Sequence, residues 1–296
     1  MVGITRILCP VDFSDCSRRA FDYAIAIGRC FGAAIEVLHV APEALVTGRA
    51  ELQLQLDGLR SDAHADVVAQ TKRLIDTIAV PDLRVEARVE TGNPATQIVA
   101  LAGHAESTLV VMGTHGRTGI QRLMLGSVVD KVLRLVRCPM LTVPPLAIAP
   151  HTERMFSQVL CPIDFSEPSA SALDFAVSLT GRTNGHLMVL HALESQDEPP
   201  EPRGIPAPDL GQELHDDAQD RVRTLFAAAH YAKEPEVLIV VGKASVEILR
   251  VTAERDVDTI VMGVHGRGAI DRLLLGSTTD HVVRAATCPV LTVRRD

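Results

Sequence analysis

Gly113, Gly116 and the Gly126-Ser127 pair, with two residues after the first glycine and nine after the second, are the part of this sequence best suited to holding an anion. Glycine lets the backbone take positive φ and approach a ligand closely, and neighbouring N–H groups then converge on negative charge. The loop follows a short apolar run, Leu109 to Met112, and Gly126-Ser127 opens a helical pattern. The first turn of such a helix presents unpaired N–H donors and the positive end of a dipole, a setting that suits a phosphate chain. Taken once, this glycine spacing is ordinary turn chemistry. It returns, however, as Gly263, Gly266 and Gly276-Ser277, again after an apolar run and before a helical pattern. Two matched copies are difficult to ascribe to turns alone. His115 and Arg117 in the first loop, and His265 and Arg267 in the second, are further candidate donors to phosphate oxygens. The alternative for these four is that they are solvated loop side chains.

The elements that must position these loops are themselves repeated. Cys9-Pro-Val-Asp-Phe-Ser14 recurs as Cys161-Pro-Ile-Asp-Phe-Ser166, and Val37-Leu-His39 as Val189-Leu-His191, both 152 residues later. The glycine loop and the closing Cys138-Pro-Met-Leu-Thr-Val143 recur 150 residues later, so one fold has been copied with most variation in the middle of each copy. The join falls near Pro144 to Glu153, which predicts one domain over residues 1–146 and another over 154–296. In the first copy, strands are expected at Arg6 to Val11, Ala34 to Val40, Leu83 to Val89, Thr108 to Gly113 and Met140 to Val143. Helices are expected at Ser14 to Phe31, Glu51 to Ile78, Ala95 to Ala105 and Ser127 to Val136. Such alternation predicts an α/β fold: two Rossmann-like three-layer domains, each a five-stranded parallel sheet with helices on both faces. If the strand order is 3-2-1-4-5, the first and fourth strands lie at the point where the order reverses, where ligands of open sheets sit. Asp12 and Asp164, at the end of each first strand, would then face the same crevice as the glycine loop and accept hydrogen bonds from a base amino group or a ribose. The alternative is that each aspartate caps the following helix; Ser14 and Ser166 read as caps.

Composition narrows the rest. A formal net charge of −8, with Lys and Arg scattered along the chain, disfavours nucleic-acid and anionic-membrane partners. No apolar stretch approaches the roughly 20 residues of a spanning helix, and Met1 to Val11 reads as a strand rather than a secretory leader, so the chain is expected to be cytoplasmic. Of the six cysteines, Cys9, Cys138, Cys161 and Cys288 each precede a proline in strand-like runs and read as small buried side chains. No metal-ligand spacing relates these four. In the second copy, Glu194 to Pro208 is rich in proline and acid and reads as a loop tolerated at the surface, with an overhang above the second site as the alternative.

These motifs together resemble the universal stress proteins, in particular their ATP-binding branch. The resemblance rests on the glycine signature, the Pro-Val/Ile-Asp-Phe-Ser opening and the Cys-Pro-x-Leu-Thr-Val ending, and it covers the chain twice. It implies that Asp12 and Val40 surround an adenine, that Gly113 lies at the ribose, and that Gly116, Gly126, Ser127 and Val128 hold phosphates. By internal match the second site would use Asp164, Ala192, Gly263, Gly266, Gly276, Ser277 and Thr278. It also implies two domains packed about a pseudo-twofold axis through their last strands, often with further homodimerisation. Lys243 stands where the first copy has Asn93, so the two sites are expected to differ in affinity.

The function expected from this is ATP binding, with AMP or ADP as exchange partners, by a stress-response regulator or sensor rather than a fast catalyst. Two alternatives stay open: a slow Mg²⁺-dependent ATPase and a nucleotide-independent interaction module. Valine at Gly113 and Gly263 is expected to abolish ATP binding while sparing the fold.

Overall fold

The computed structural model describes residues 3–41, 66, 68–76, 82–103, 108–116, 125–150, 155–193, 208–229, 233–265 and 275–294. The chain divides into two compact units, Met1–Met155 and Phe156–Arg295. In the first unit the strands are β1 (Arg6–Pro10), β2 (Ala34–Ala41), β3 (Val85–Thr91), β4 (Thr108–Gly113) and β5 (Met140–Val143). They lie in the order β3-β2-β1-β4-β5 with parallel pairing throughout. In the second unit β6 (Gln158–Pro162), β7 (His186–Leu193), β8 (Glu236–Val241), β9 (Thr259–Gly263) and β10 (Val290–Val293) repeat it as β8-β7-β6-β9-β10, again parallel. This is the 3-2-1-4-5 topology expected from the sequence, once in each unit.

Burial explains which runs became central. Ile7, Leu8 and Cys9 of β1 are fully buried, and every residue of β4 is buried, as a parallel strand covered by helices on both faces requires. Burying a side chain such as Ile7 or Leu8 contributes about 1.5–3 kcal/mol. The edge strand β3 is different: Glu86, Arg88 and Glu90 alternate along it and Arg88 pairs with Glu36 of β2. Charged side chains on an edge discourage pairing with another chain. That polar pattern also made the strand hard to bound, and it begins at Val85 rather than Leu83.

The first helix, Asp15–Phe31, starts at an N-cap Ser14 whose side chain accepts from Ser17 N, and stops at Gly32, whose φ of 67° is the left-handed conformation that ends helices. Its counterpart Glu167–Thr183 is capped by Ser166 and ends at a left-handed Asn184. Both serine caps are as expected. The helix expected over Glu51 to Ile78 is seen at residues 68–76, and most of the remainder lies outside the described residues. The expected loop Glu194 to Pro208 also lies outside them, except that Pro208 opens the helix Pro208–Ala229. Among the described residues no helix is long and apolar enough to cross a membrane.

Candidate nucleotide site

The carboxyl ends of β1, β2 and β4 meet the first turn of the helix Ser127–Leu135 in one crevice. Asp12, Val40, Gly113, His115, Gly116, Gly126, Ser127 and Val128 all line it. Its volume is about 230 Å³, several times the roughly 30 Å³ share of one water, so it admits an organic ligand. Arg117 lies outside the described residues.

Two local structures build the crevice. After β4, Thr114 N donates to Val143 O (3.0 Å) and the returning loop closes through Gly126 N onto Thr114 O (2.9 Å). Gly126 thereby becomes the N-cap of the helix Ser127–Leu135, and no side chain caps that end. The contrast with the helices capped by Ser14 and Asn93 is direct, since both use a side-chain oxygen. The first-turn N–H groups of an uncapped helix are donors in search of an acceptor.

The other wall is the turn after β1. Asp12 Oδ1 accepts from Ser14 N (3.1 Å) and from Ser14 Oγ (2.6 Å), while Ser14 Oγ accepts from Ser17 N (3.2 Å). Serine is therefore the cap, and the aspartate holds it in place. The other carboxylate oxygen, Oδ2, is aimed at Gly116, where an added Cβ would stand 2.8 Å from it. Between them Phe13 takes a φ of 63°, and Phe165 repeats this at 62°. Left-handed backbone at a bulky residue costs about 1–2 kcal/mol, and such strain gathers at functional sites. Phe13 stacks on His39 with ring centroids 4.7 Å apart, and His39 Nδ1 donates to Val11 O at 2.8 Å. The pair was missed in the sequence, although Val-Leu-His and Asp-Phe-Ser recur in both copies. His39, Pro94 and Ile98 also line the crevice.

Gly113 corrects an expectation. A Cβ there would lie 2.6 Å from Cys16 Sγ and 2.8 Å from Cys16 O, and at Gly263 one would lie 2.8 Å from the carbonyl carbon of Pro168. Valine at these positions would press on the first helix of each unit, which packs directly on the glycine, so it is expected to strain the fold as well as the site. Cys16 is itself buried with its thiol pKa raised by burial, hydrogen bonds from Thr114 and His115 working the other way.

The second unit repeats the frame. Asp164 Oδ1 accepts from Ser166 N (3.0 Å) and Ser166 Oγ, and Gly276 N closes onto Val264 O (3.0 Å). Gly276 caps the helix Ser277–Ala285 without a side chain, and Thr278 lies in its first turn. Gly263 ends β9 with His265 two residues beyond, and Ala192 pairs with Val240 near the end of β7. Gly266 and Arg267 lie outside the described residues.

The universal stress protein family model matches residues 3–144 and again 155–294. The chain belongs to the universal stress protein family. Universal stress protein MJ0531 of Methanocaldococcus jannaschii is 32% identical over 141 residues, 47% of this chain and 81% of that protein. A universal stress protein of Mycolicibacterium smegmatis is 26% identical across 97% of this chain and 96% of its own length, so it matches both halves. The crystal structure of a universal stress protein from Archaeoglobus fulgidus superposes with a TM-score of 0.67 at 22% identity, covering 98% of each chain, which supports the shared fold.

Within this family frame the two halves differ where the sequence flagged it. Asn93 Oδ1 accepts from Thr96 N (3.1 Å) and caps the helix Pro94–Ala102, which borders the crevice, whereas Lys243 makes no side-chain cap to Ala244–Glu254. In the second unit the guanidinium carbon of Arg221 lies 4.1 Å from the centre of the Phe165 ring.

Proposed function

We propose that each half binds one adenine nucleotide, ATP foremost with ADP or AMP as exchange partners, and that the protein is a nucleotide-dependent regulator of the stress response. The observation that carries this reading is the helix start behind each glycine loop, Gly126-Ser127 and Gly276-Ser277, whose first turn has no side-chain cap. Such an end offers main-chain donors and a positive dipole to phosphate oxygens. The base would lie between Asp12 and Val40, the ribose at Gly113, and the phosphates against Gly116, Gly126, Ser127 and Val128. Asp164, Ala192, Gly263, Gly276, Ser277 and Thr278 would do the same in the second half. A magnesium ion would come with the phosphates, held by their oxygens and by water; among the described residues no group of three or more His, Cys, Asp or Glu side chains is placed to hold one by itself.

Mass spectrometry of the nucleotide released from purified, heat-denatured protein, followed by titration of the emptied protein with ATP, tests the reading. Up to two adenine nucleotides per chain are expected. Protein that is purified empty and then takes up no ATP would overturn the reading in favour of an interaction module. Turnover above about 1 per second with ATP and Mg²⁺ would instead make it an enzyme.

A further inference from the structure

We infer that Thr114 is a positioning residue that makes the first site the stronger reader of phosphate, by holding the His115 ring with Nε2 toward the bound ligand. This rests on the nucleotide reading above. Thr114 is 2% exposed, and its main chain is fixed on both sides by the bonds to Val143 and Gly126. Its hydroxyl lies 2.9 Å from His115 Nδ1. The opposite ring nitrogen, Nε2, is buried with no hydrogen-bond partner, in a residue that lines the crevice. A buried ring nitrogen without a partner is unfavourable, and a small turn of the ring toward the crevice would let a ligand oxygen supply one.

A hydroxyl suits this task because it works in either direction. It donates to Nδ1 of a neutral imidazole, which puts the ring proton on Nε2, and it accepts from Nδ1–H when the ring is charged. Those two states, unlike the neutral tautomer with its proton on Nδ1, make Nε2–H a donor, and a phosphate oxygen bound beside the uncapped first turn at Ser127 selects them. In the second half the matching residue is Val264, 3% exposed, which has the shape of threonine and no hydroxyl. The loop around it keeps Gly263, His265 and Gly276-Ser277, so the halves differ at this position behind an otherwise shared motif.

Titration calorimetry of the full chain with ATP and with adenosine, fitted to two sites, tests the inference. Thr114→Val should weaken ATP at the tighter site by about tenfold, the scale of one lost hydrogen bond to a charged oxygen, and shift adenosine by less than about twofold. Thr114→Ser should restore ATP affinity, and Val264→Thr should tighten the weaker site, a gain that misfolding cannot imitate. Unchanged ATP affinity in Thr114→Val, an equal loss of ATP and adenosine, or no gain in Val264→Thr would overturn it. A wild-type protein that binds neither ligand would instead remove the nucleotide reading on which the inference stands.

Discussion

Alanine at Gly113 should destabilise the first unit even without ligand. The new Cβ would stand 2.6 Å from Cys16 Sγ, 2.8 Å from Cys16 O and 2.9 Å from the carbonyl carbon of Cys16. The sulfur could rotate aside, but the carbonyl belongs to the helix Asp15–Phe31 and moves only with it. Overpacking that displaces backbone costs about 1–3 kcal/mol. For a unit of roughly 150 residues each kcal/mol lowers the melting midpoint by about 2–4 °C, so a fall of roughly 2–12 °C is expected. Gly181 is the control: it is exposed in the helix Glu167–Thr183 and an added Cβ would meet nothing within 4 Å. Alanine there should stabilise the second unit by about 0.5–1 kcal/mol, through helix propensity and a less flexible unfolded chain. Differential scanning calorimetry of both variants, free of nucleotide, is the assay. A Gly113→Ala protein melting at or above the wild-type temperature would refute the claim that rigid backbone occupies the space beside this glycine.

Other consequences are independent of that contact. Ser127→Glu places a carboxylate at the start of an uncapped helix, so it should stabilise the ligand-free protein by about 0.3–1 kcal/mol and weaken ATP by roughly tenfold or more through like-charge repulsion; a gain in melting temperature with ATP affinity intact would count against the anion site. Asp258 Oδ2 accepts from Ser157 N, Ser157 Oγ and Gln158 N, yet burial raises its pKa above the ordinary carboxylate value. A group that binds its proton more tightly when folded stabilises below its unfolded pKa and loses that contribution as pH rises through the folded value. The stability of Asp258→Asn relative to wild type should therefore improve as pH rises from the ordinary carboxylate range, and a difference that is flat with pH would show that the carboxyl titrates alike in both states. Burial pushes the Cys138 thiol up to about 11 and Cys288 up to about 12, and five of the six cysteines are buried. Iodoacetamide at mild alkaline pH should therefore label Cys30 first, and peptide mapping that finds Cys16 ahead of it would contradict the packing around Gly113.

What the sequence could show was periodic or repeated. Parallel α/β sheets followed from strands and helices alternating twice, and the crevice from glycines spaced alike behind two apolar strands, with the 3-2-1-4-5 order entering as a condition that the fold then met. Eight residues expected at the first site do share one crevice, because strand ends at a topological switch converge whatever the details of the loops. The role of Gly113 was hidden, since its neighbour Cys16 lies 97 positions away and nothing local marks the contact. The left-handed Phe13 was hidden for a different reason: an aromatic residue gives no sign of positive φ, and only its recurrence at Phe165 beside the recurring histidines hinted at a shared constraint. The serine caps were legible because capping chemistry is local, whereas the aspartate that supports each cap could be read equally as cap or ligand.

The most direct test of the account follows the main-chain amides themselves. Isotope-labelled full-length protein, titrated with ATP and watched by amide resonances, should show the largest saturable shifts at Ser127, Val128, Ser277 and Thr278, where the uncapped helix starts would receive phosphate. Adenosine should leave those four nearly still while moving residues around Val40. Saturation by ATP with the four amides unmoved would contradict the claim that these helix starts hold the phosphates.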